Sequence, residues 1–201
     1  ATAPILVADA ANRDAAVAAL SLDVARGVAI LCPGAEFGPA KRWPPGHFAE
    51  LALKFLADGF AVWVIGSPND KPVAEAIRDA AGEPGRAMRD LAGRTDLGTA
   101  IDLMSLASIV VSNDSGLMHA AVAVGVPLVA LFGSSSPAYT PPMSAAAKIA
   151  RIDIACSPCF ARECPLGHFK CMRDLDPRAV YDLARATLRP RGTVADTRPA
   201  K

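Results

Sequence analysis

A doubly wound α/β fold built on a parallel sheet follows from three features of this 201-residue chain. Short, almost wholly apolar runs recur at 28–32, 60–65, 109–112 and 128–132. Between them lie segments whose apolar residues fall at helical spacing, as with Phe48, Leu51, Ala52, Phe55 and Leu56. The joints are short and rich in Gly and Pro. Apolar runs without polar alternation belong to strands covered on both faces, and repeated strand–helix units make such a sheet parallel and Rossmann-like.

Each element can be justified in turn. Residues 28–32 end in Pro33-Gly34, a strand entering a loop. A helix follows Trp43-Pro44-Pro45 and stops before Gly59, a C-terminal signal. After the strand at 60–65, Asn69 or Asp70 can cap a helix with Val73, Ala76, Ile77 and Ala80 on one face. Residues 86–91 read as a short strand, and Ala100, Ile101, Met104 and Ala107 as the apolar face of a helix. A strand at 109–112, a helix apolar on nearly every side at 115–124 and a strand at 128–132 follow. An all-round apolar helix is a buried one. Residues 149–154 add a last strand, and 177–188 a last helix that begins on a proline.

Residues 1–27 precede the first strand and read as a lead-in or linker helix, 28–188 as one domain. Residues 189–201, rich in Pro, Arg and Thr without apolar periodicity, read as a flexible tail. The chain begins at Ala1 without a methionine, the expectation being part of a longer protein. Twenty-one basic against twenty acidic residues leave a net charge of +1, which gives no electrostatic reason for a nucleic-acid partner. No run of about 18 apolar residues appears, so no transmembrane segment is expected.

In an open parallel sheet, ligands bind beyond the carboxyl ends of the strands. The loop at 33–44 carries two glycines and the adjacent cations Lys41 and Arg42, suited to phosphate. It lacks the spacing of a P-loop and of the dinucleotide fingerprint, and a solvated basic loop is the plain alternative. Ser112-Asn113-Asp114-Ser115-Gly116 leads into the buried helix, whose amino end would offer N–H groups and partial positive charge to a diphosphate. His119 lies one turn after Ser115, so it either donates to a phosphate or serves as a core histidine, with Asp114 or Ser115 a routine cap. Gly133-Ser134-Ser135-Ser136-Pro137 offers hydroxyls or merely a turn. Ser67, Asn69 and Asp70 stand after another strand, placed to meet a ribose or base.

Cysteine usage is uneven. Cys32 stands alone, whereas Cys156, Cys159, Cys164 and Cys171 cluster with His168. Four thiolates at short spacing could close a structural zinc site, although the spacing is not that of a finger or ribbon. Reduced cysteines packing as small hydrophobes are the alternative.

The segments ILCPGAEFGPAKRWPP at 30–45 and VSNDSGLMHAAVAVGVPLVALFGSSSPAYTPP at 111–142 resemble the ADP-heptose:lipopolysaccharide heptosyltransferase family, nearest its heptosyltransferase II branch. CSPCFARECPLGHFKCM at 156–172 extends the likeness, which covers most of 28–188. The resemblance implies the C-terminal, donor-binding half of a GT-B glycosyltransferase, inverting and requiring no cofactor. Its substrate would be ADP-L-glycero-D-manno-heptose, and the acceptor the inner core of lipopolysaccharide. It implies that Lys41 meets the phosphates, and that Asp114, Ser115, Gly116 and His119 surround the diphosphate and heptose. The loop holding Ser67, Asn69 and Asp70 would lie at the adenosine. The catalytic base and acceptor surface would belong to an N-terminal domain outside this sequence, leaving the chain inactive alone. The implied place is the cytoplasm or the inner face of the inner membrane. A GT-B domain for another nucleotide sugar and a non-catalytic metal-binding module on the cysteines remain the alternatives.

Overall fold

A computed structural model describes residues 4–188, and the tail expected at 189–201 lies outside them. Six strands form one sheet: β1 (Val28–Cys32), β2 (Ala61–Val64), β3 (Arg89–Asp90), β4 (Ala107–Asn113), β5 (Leu128–Leu131) and β6 (Lys148–Ala150). Their order across the sheet is β3-β2-β1-β4-β5-β6. Every neighbouring pair is parallel, with Ile30 opposite Trp63 on one side and Val110 on the other. All residues of β1 and β4 are buried, as expected for strands at the centre of a covered sheet.

The helices α1 (Ala10–Ala19), α2 (Pro45–Ala57), α3 (Lys71–Ala81), α4 (Leu97–Met104), α5 (Gly116–Ala123), α6 (Lys170–Arg173) and α7 (Pro177–Thr187) complete the layers. Alternation along the strands divides the core in two. Leu31, Val62, Val64, Ile109 and Val111 pack with Phe48 and Phe55 of α2, Ile77 of α3 and Val180 of α7. Ile30, Trp63, Val110 and Leu128 pack on the other face with Leu103 of α4, Met118 and Ala121 of α5, and Val17 of α1. Helix α1 is tied to α4 through the buried Asp102, which accepts from the Asp9 N–H at 2.8 Å and from Asn12 Nδ2 at 2.7 Å. That carboxylate is therefore satisfied where burial alone would be costly.

Three sequence expectations are corrected. Helix α4 ends before Ala107, because Ser105 turns its hydroxyl back onto the Asp102 carbonyl at 2.6 Å and closes the last turn. Ala107 then opens β4, opposite Val28. The strand expected at 86–91 pairs only over Arg89–Asp90, since a 3-10 turn occupies Glu83–Ala87. The strand expected at 149–154 is Lys148–Ala150, and it pairs with β5 only as far as Ala150.

Phe55 is fully buried between α2, α7 and the sheet, with edge contacts to Phe60 and a tilted contact to Tyr181. Phe55→Ala should cost about 3–5 kcal/mol, seen as a lowered urea midpoint.

Candidate functional site

Strand order reverses between β1 and β4, with β2 and β3 on one side and β5 and β6 on the other. Loops leaving the carboxyl ends of two such strands diverge and open a crevice, the usual ligand position in this architecture. The loop after β1 carries Lys41, and the turn after β4 carries Asp114 and Ser115.

Both loops are held by one buried side chain. Asn113, the last residue of β4, donates from Nδ2 to the Pro33 carbonyl at 2.7 Å and accepts the Trp43 N–H at Oδ1, 3.2 Å. One amide thus fastens the beginning and the end of the 33–43 loop. The Trp43 ring is fully buried, stacks edge-on with Phe48 and donates from Nε1 to the Leu175 carbonyl at 3.0 Å. The loop's midpoint is pinned separately, by the Ala40 N–H on the Arg162 carbonyl at 3.0 Å.

Lys41 closes a 3-10 turn, Pro39–Lys41, and directs Nζ to Asp114 Oδ2 at 2.6 Å. Only 14% of the lysine side chain and 3% of the aspartate side chain are exposed. The same carboxylate oxygen accepts from Ser135 Oγ at 2.6 Å and Thr140 Oγ1 at 3.1 Å. The Phe37 ring lies beneath the ammonium, 5.0 Å from its centroid. An ammonium has three donors, and no other hydrogen bond occupies Nζ among the described residues, so an anion can be bound without breaking the pair.

Ser115 occupies the cap position of α5 in extended conformation, but its side chain makes no capping bond. The Asp114 carboxylate is engaged by Lys41, Ser135 and Thr140, so it does not cap the helix either. A routine capping role for the two residues is therefore excluded. Gly116 begins the helix with open space where a Cβ would stand. His119 is half-buried one turn along and makes no hydrogen bond among the described residues, unlike a satisfied core histidine.

The Ser67–Asp70 turn follows β2. Asp70 is buried, and its Oδ2 accepts from both the N–H and the hydroxyl of Ser67 at 2.8 Å. The carboxylate turns back on this turn and does not cap α3. A Cβ on Gly34 would stand 2.5 Å from it and one on Gly66 2.8 Å from the Asp70 Cβ, so both positions require glycine. Asp70 thereby packs the β2 turn against the lysine loop, while Ser67 and Asn69 face outward.

The four clustered cysteines and His168 line one cavity of about 190 Å³, together with Ala40, Ser134 and Phe169. All are free thiols, at different depths: Cys171 buried, Cys156 and Cys164 half-buried, Cys159 exposed. Cys156 Sγ lies 4.0 Å from His168 Nε2. Among the described residues no group of three or more His, Cys, Asp or Glu side chains stands so as to hold a metal ion. The Phe169 N–H, 3.3 Å from Cys164 Sγ, holds that thiol below its usual range. Burial, then the neighbouring Cys159, Cys156 and Cys164, push Cys171 up.

The family model for glycosyltransferase family 9 (heptosyltransferase) matches residues 2–170. The chain belongs to that family. Lipooligosaccharide heptosyltransferase 2 of Haemophilus influenzae is 54% identical to this family 9 chain over 122 residues, 60% of it and 35% of the relative. Lipopolysaccharide heptosyltransferase 2 of Escherichia coli K12 is 40% identical over 169 residues, 84% of this chain and 49% of the relative. The solved E. coli ADP-heptose lps heptosyltransferase II superimposes with a TM-score of 0.81 at 38% identity, covering 92% of this chain and 53% of that one. The chain thus spans about half the length of the E. coli relative.

Of the residues singled out in the sequence, Lys41 and Asp114 are brought into direct contact, with Ser115, Gly116 and His119 on the adjoining helix end. The cysteines form a separate cavity that touches the lysine loop at Ala40. Sequence reasoning missed Asn113 as a clamp and Ser135 and Thr140 as partners of Asp114. An asparagine at the end of a wholly buried strand was the one available signal for the first.

Asn113→Ala should cost about 1–3 kcal/mol by denaturant unfolding, since it orphans a buried N–H and a buried carbonyl. In native protein near neutral pH, iodoacetamide should label Cys164 well before Cys171, as mass spectrometry of timed digests would report.

Proposed function

We propose that this chain is the donor-binding half of a heptosyltransferase that moves heptose from ADP-L-glycero-D-manno-heptose to the inner core of lipopolysaccharide. The observation that carries the reading is the meeting of Lys41, Asp114 and the uncapped amino end of α5 at the β1/β4 crevice. Family membership and the named relatives support it.

In this reading the diphosphate sits against the α5 amino end, where backbone N–H groups and the helix dipole favour negative charge. Lys41 adds a full cation from the facing loop. Ser115, Gly116 and His119 flank the phosphates, with the space beside Gly116 allowing close approach. Asp114 turns its remaining acceptor capacity to hydroxyls of the heptose. Ser67 and Asn69 meet the adenosine, with Asp70 holding their turn in place.

Transfer requires an acceptor hydroxyl to attack the anomeric carbon as the bond to the diphosphate oxygen breaks. ADP departs with the electron pair, and the hydroxyl proton passes to a base. Negative charge grows on the leaving diphosphate, so preorganised cations and N–H donors there act most strongly in the transition state. No metal is needed for that step. The base and the acceptor surface are assigned to a second domain across the crevice. This chain alone should bind donor without transferring it, because holding both reactants in near-attack geometry contributes about 7–11 kcal/mol.

Titration calorimetry with ADP, UDP and GDP tests the reading, with ADP expected to bind best. Lys41→Met should weaken ADP by about 1.5–3 kcal/mol and also lower the thermal midpoint, because it leaves the buried Asp114 carboxylate without its cation. Equal affinity in the variant would sink the phosphate assignment. His119→Ala should also lower ADP affinity without loss of stability. The opposite pattern, intact affinity with a lowered midpoint, would make His119 a packing residue.

A further inference from the structure

We propose that Ser135 and Thr140 are positioning residues for the donor phosphates, acting through Asp114 on Lys41. The proposal rests on the nucleotide-diphosphate reading of this crevice and goes beyond it by naming what holds the cation.

The geometry is specific. Asp114 Oδ2 accepts Lys41 Nζ at 2.6 Å, Ser135 Oγ at 2.6 Å and Thr140 Oγ1 at 3.1 Å. Three donors from two separate loops converge on one oxygen, both hydroxyls coming from the loop after β5. Ser135 is buried, and Thr140 is half-buried. Thr140 is itself placed by its loop, with its N–H on the Ser136 carbonyl at 3.2 Å.

The physical need for these hydroxyls follows from charge. A carboxylate free to rotate beside an ammonium follows the cation and competes with an incoming phosphate for it. Two hydroxyl donors fix the carboxylate's direction and take part of its negative charge. The ammonium is then kept beside the crevice on a shared, partly neutralised counter-ion. Phosphate can join it without the aspartate moving. Charge-assisted hydrogen bonds of this length are the stronger kind, so the orientation they impose is firm.

The test is a double-mutant cycle read by ADP titration on the 201-residue chain. Ser135→Ala and Thr140→Val should each weaken ADP roughly 3- to 10-fold, the scale of one net hydrogen bond. Thr140→Ser, which keeps the hydroxyl, should restore affinity. In a Lys41→Met background both effects should vanish, because nothing is left to position. Persistence of the full effect in that background would overturn the proposal, as it would mean direct ligand contact or a fold defect. No effect in either background would overturn it equally.

A second readout needs no ligand. The Lys41 ammonium resonance in ¹⁵N NMR, assigned by its loss in Lys41→Met, should show faster proton exchange in Ser135→Ala/Thr140→Val. An unchanged signal defeats the positioning role whatever the ligand is. Failure of the unsubstituted chain to bind ADP, with the Lys41 signal still responding, would defeat the nucleotide reading and leave the loop coupling standing.

Discussion

The buried amide of Asn113 constrains everything that happens at the crevice. A loop of eleven residues with two glycines would ordinarily sample many conformations, and fixing each residue has an entropic cost of about 1–2 kcal/mol. Here the first and last residues of that loop, Pro33 and Trp43, are bonded to the same side chain at the end of the central strand. Burial makes both bonds costly to lose, since the freed groups would have no water to turn to. The lysine loop therefore inherits the rigidity of β4. A cation on such a support can meet a ligand without a large ordering cost on binding.

That rigidity bears on how a nearly buried ion pair can stand ready beside the crevice. Removing two charges from water is unfavourable unless geometry and further hydrogen bonds compensate. Lys41 and Asp114 meet the condition through Ser135 and Thr140 on the carboxylate and the Phe37 face below the ammonium. The pair is thus formed before any ligand arrives. The helix behind it adds polarity of the same sign as the lysine, because no side chain caps α5. Fixed loops and a fixed counter-ion hold the ammonium in place, and the uncapped helix end adds its partial positive charge at the same point.

Much of this was legible in the chain itself, for identifiable reasons. Apolar runs marked β1, β2, β4 and β5, because a covered sheet leaves no polar alternation to confuse the pattern. Asp114 stood out because it directly follows a buried strand and leads into an apolar helix, and Lys41 because it sits beside Arg42 in a glycine-containing loop beyond another. What could not be read was pairing at a distance. Nothing local joins Thr140 to Asp114 or Asn113 to Pro33; those contacts exist only once parallel strands bring the loops together. The cysteines differ again: their closeness in sequence carries into space, four thiols lining one cavity at different depths, although no group of three or more ligand side chains among the described residues stands so as to hold a metal ion. Ala107 illustrates a third kind, where helical periodicity ran past a hydroxyl that ended the helix.

The bond from Trp43 Nε1 to the Leu175 carbonyl has a consequence for how the molecule opens. Leu175 lies two residues before α7, whose Val180 and Ala184 share a core with Trp43 and α2. Local unfolding proceeds in contiguous cooperative units. One hydrogen bond thus couples the lysine loop to the segment leading into α7 across a sequence separation of 132. Loosening of α7 would free the indole N–H and remove one of the bonds that hold the end of the loop, so it should also lower amide protection there. Among the described residues, α7 thus helps to hold a loop at the far end of the sheet in place without touching it at the crevice itself.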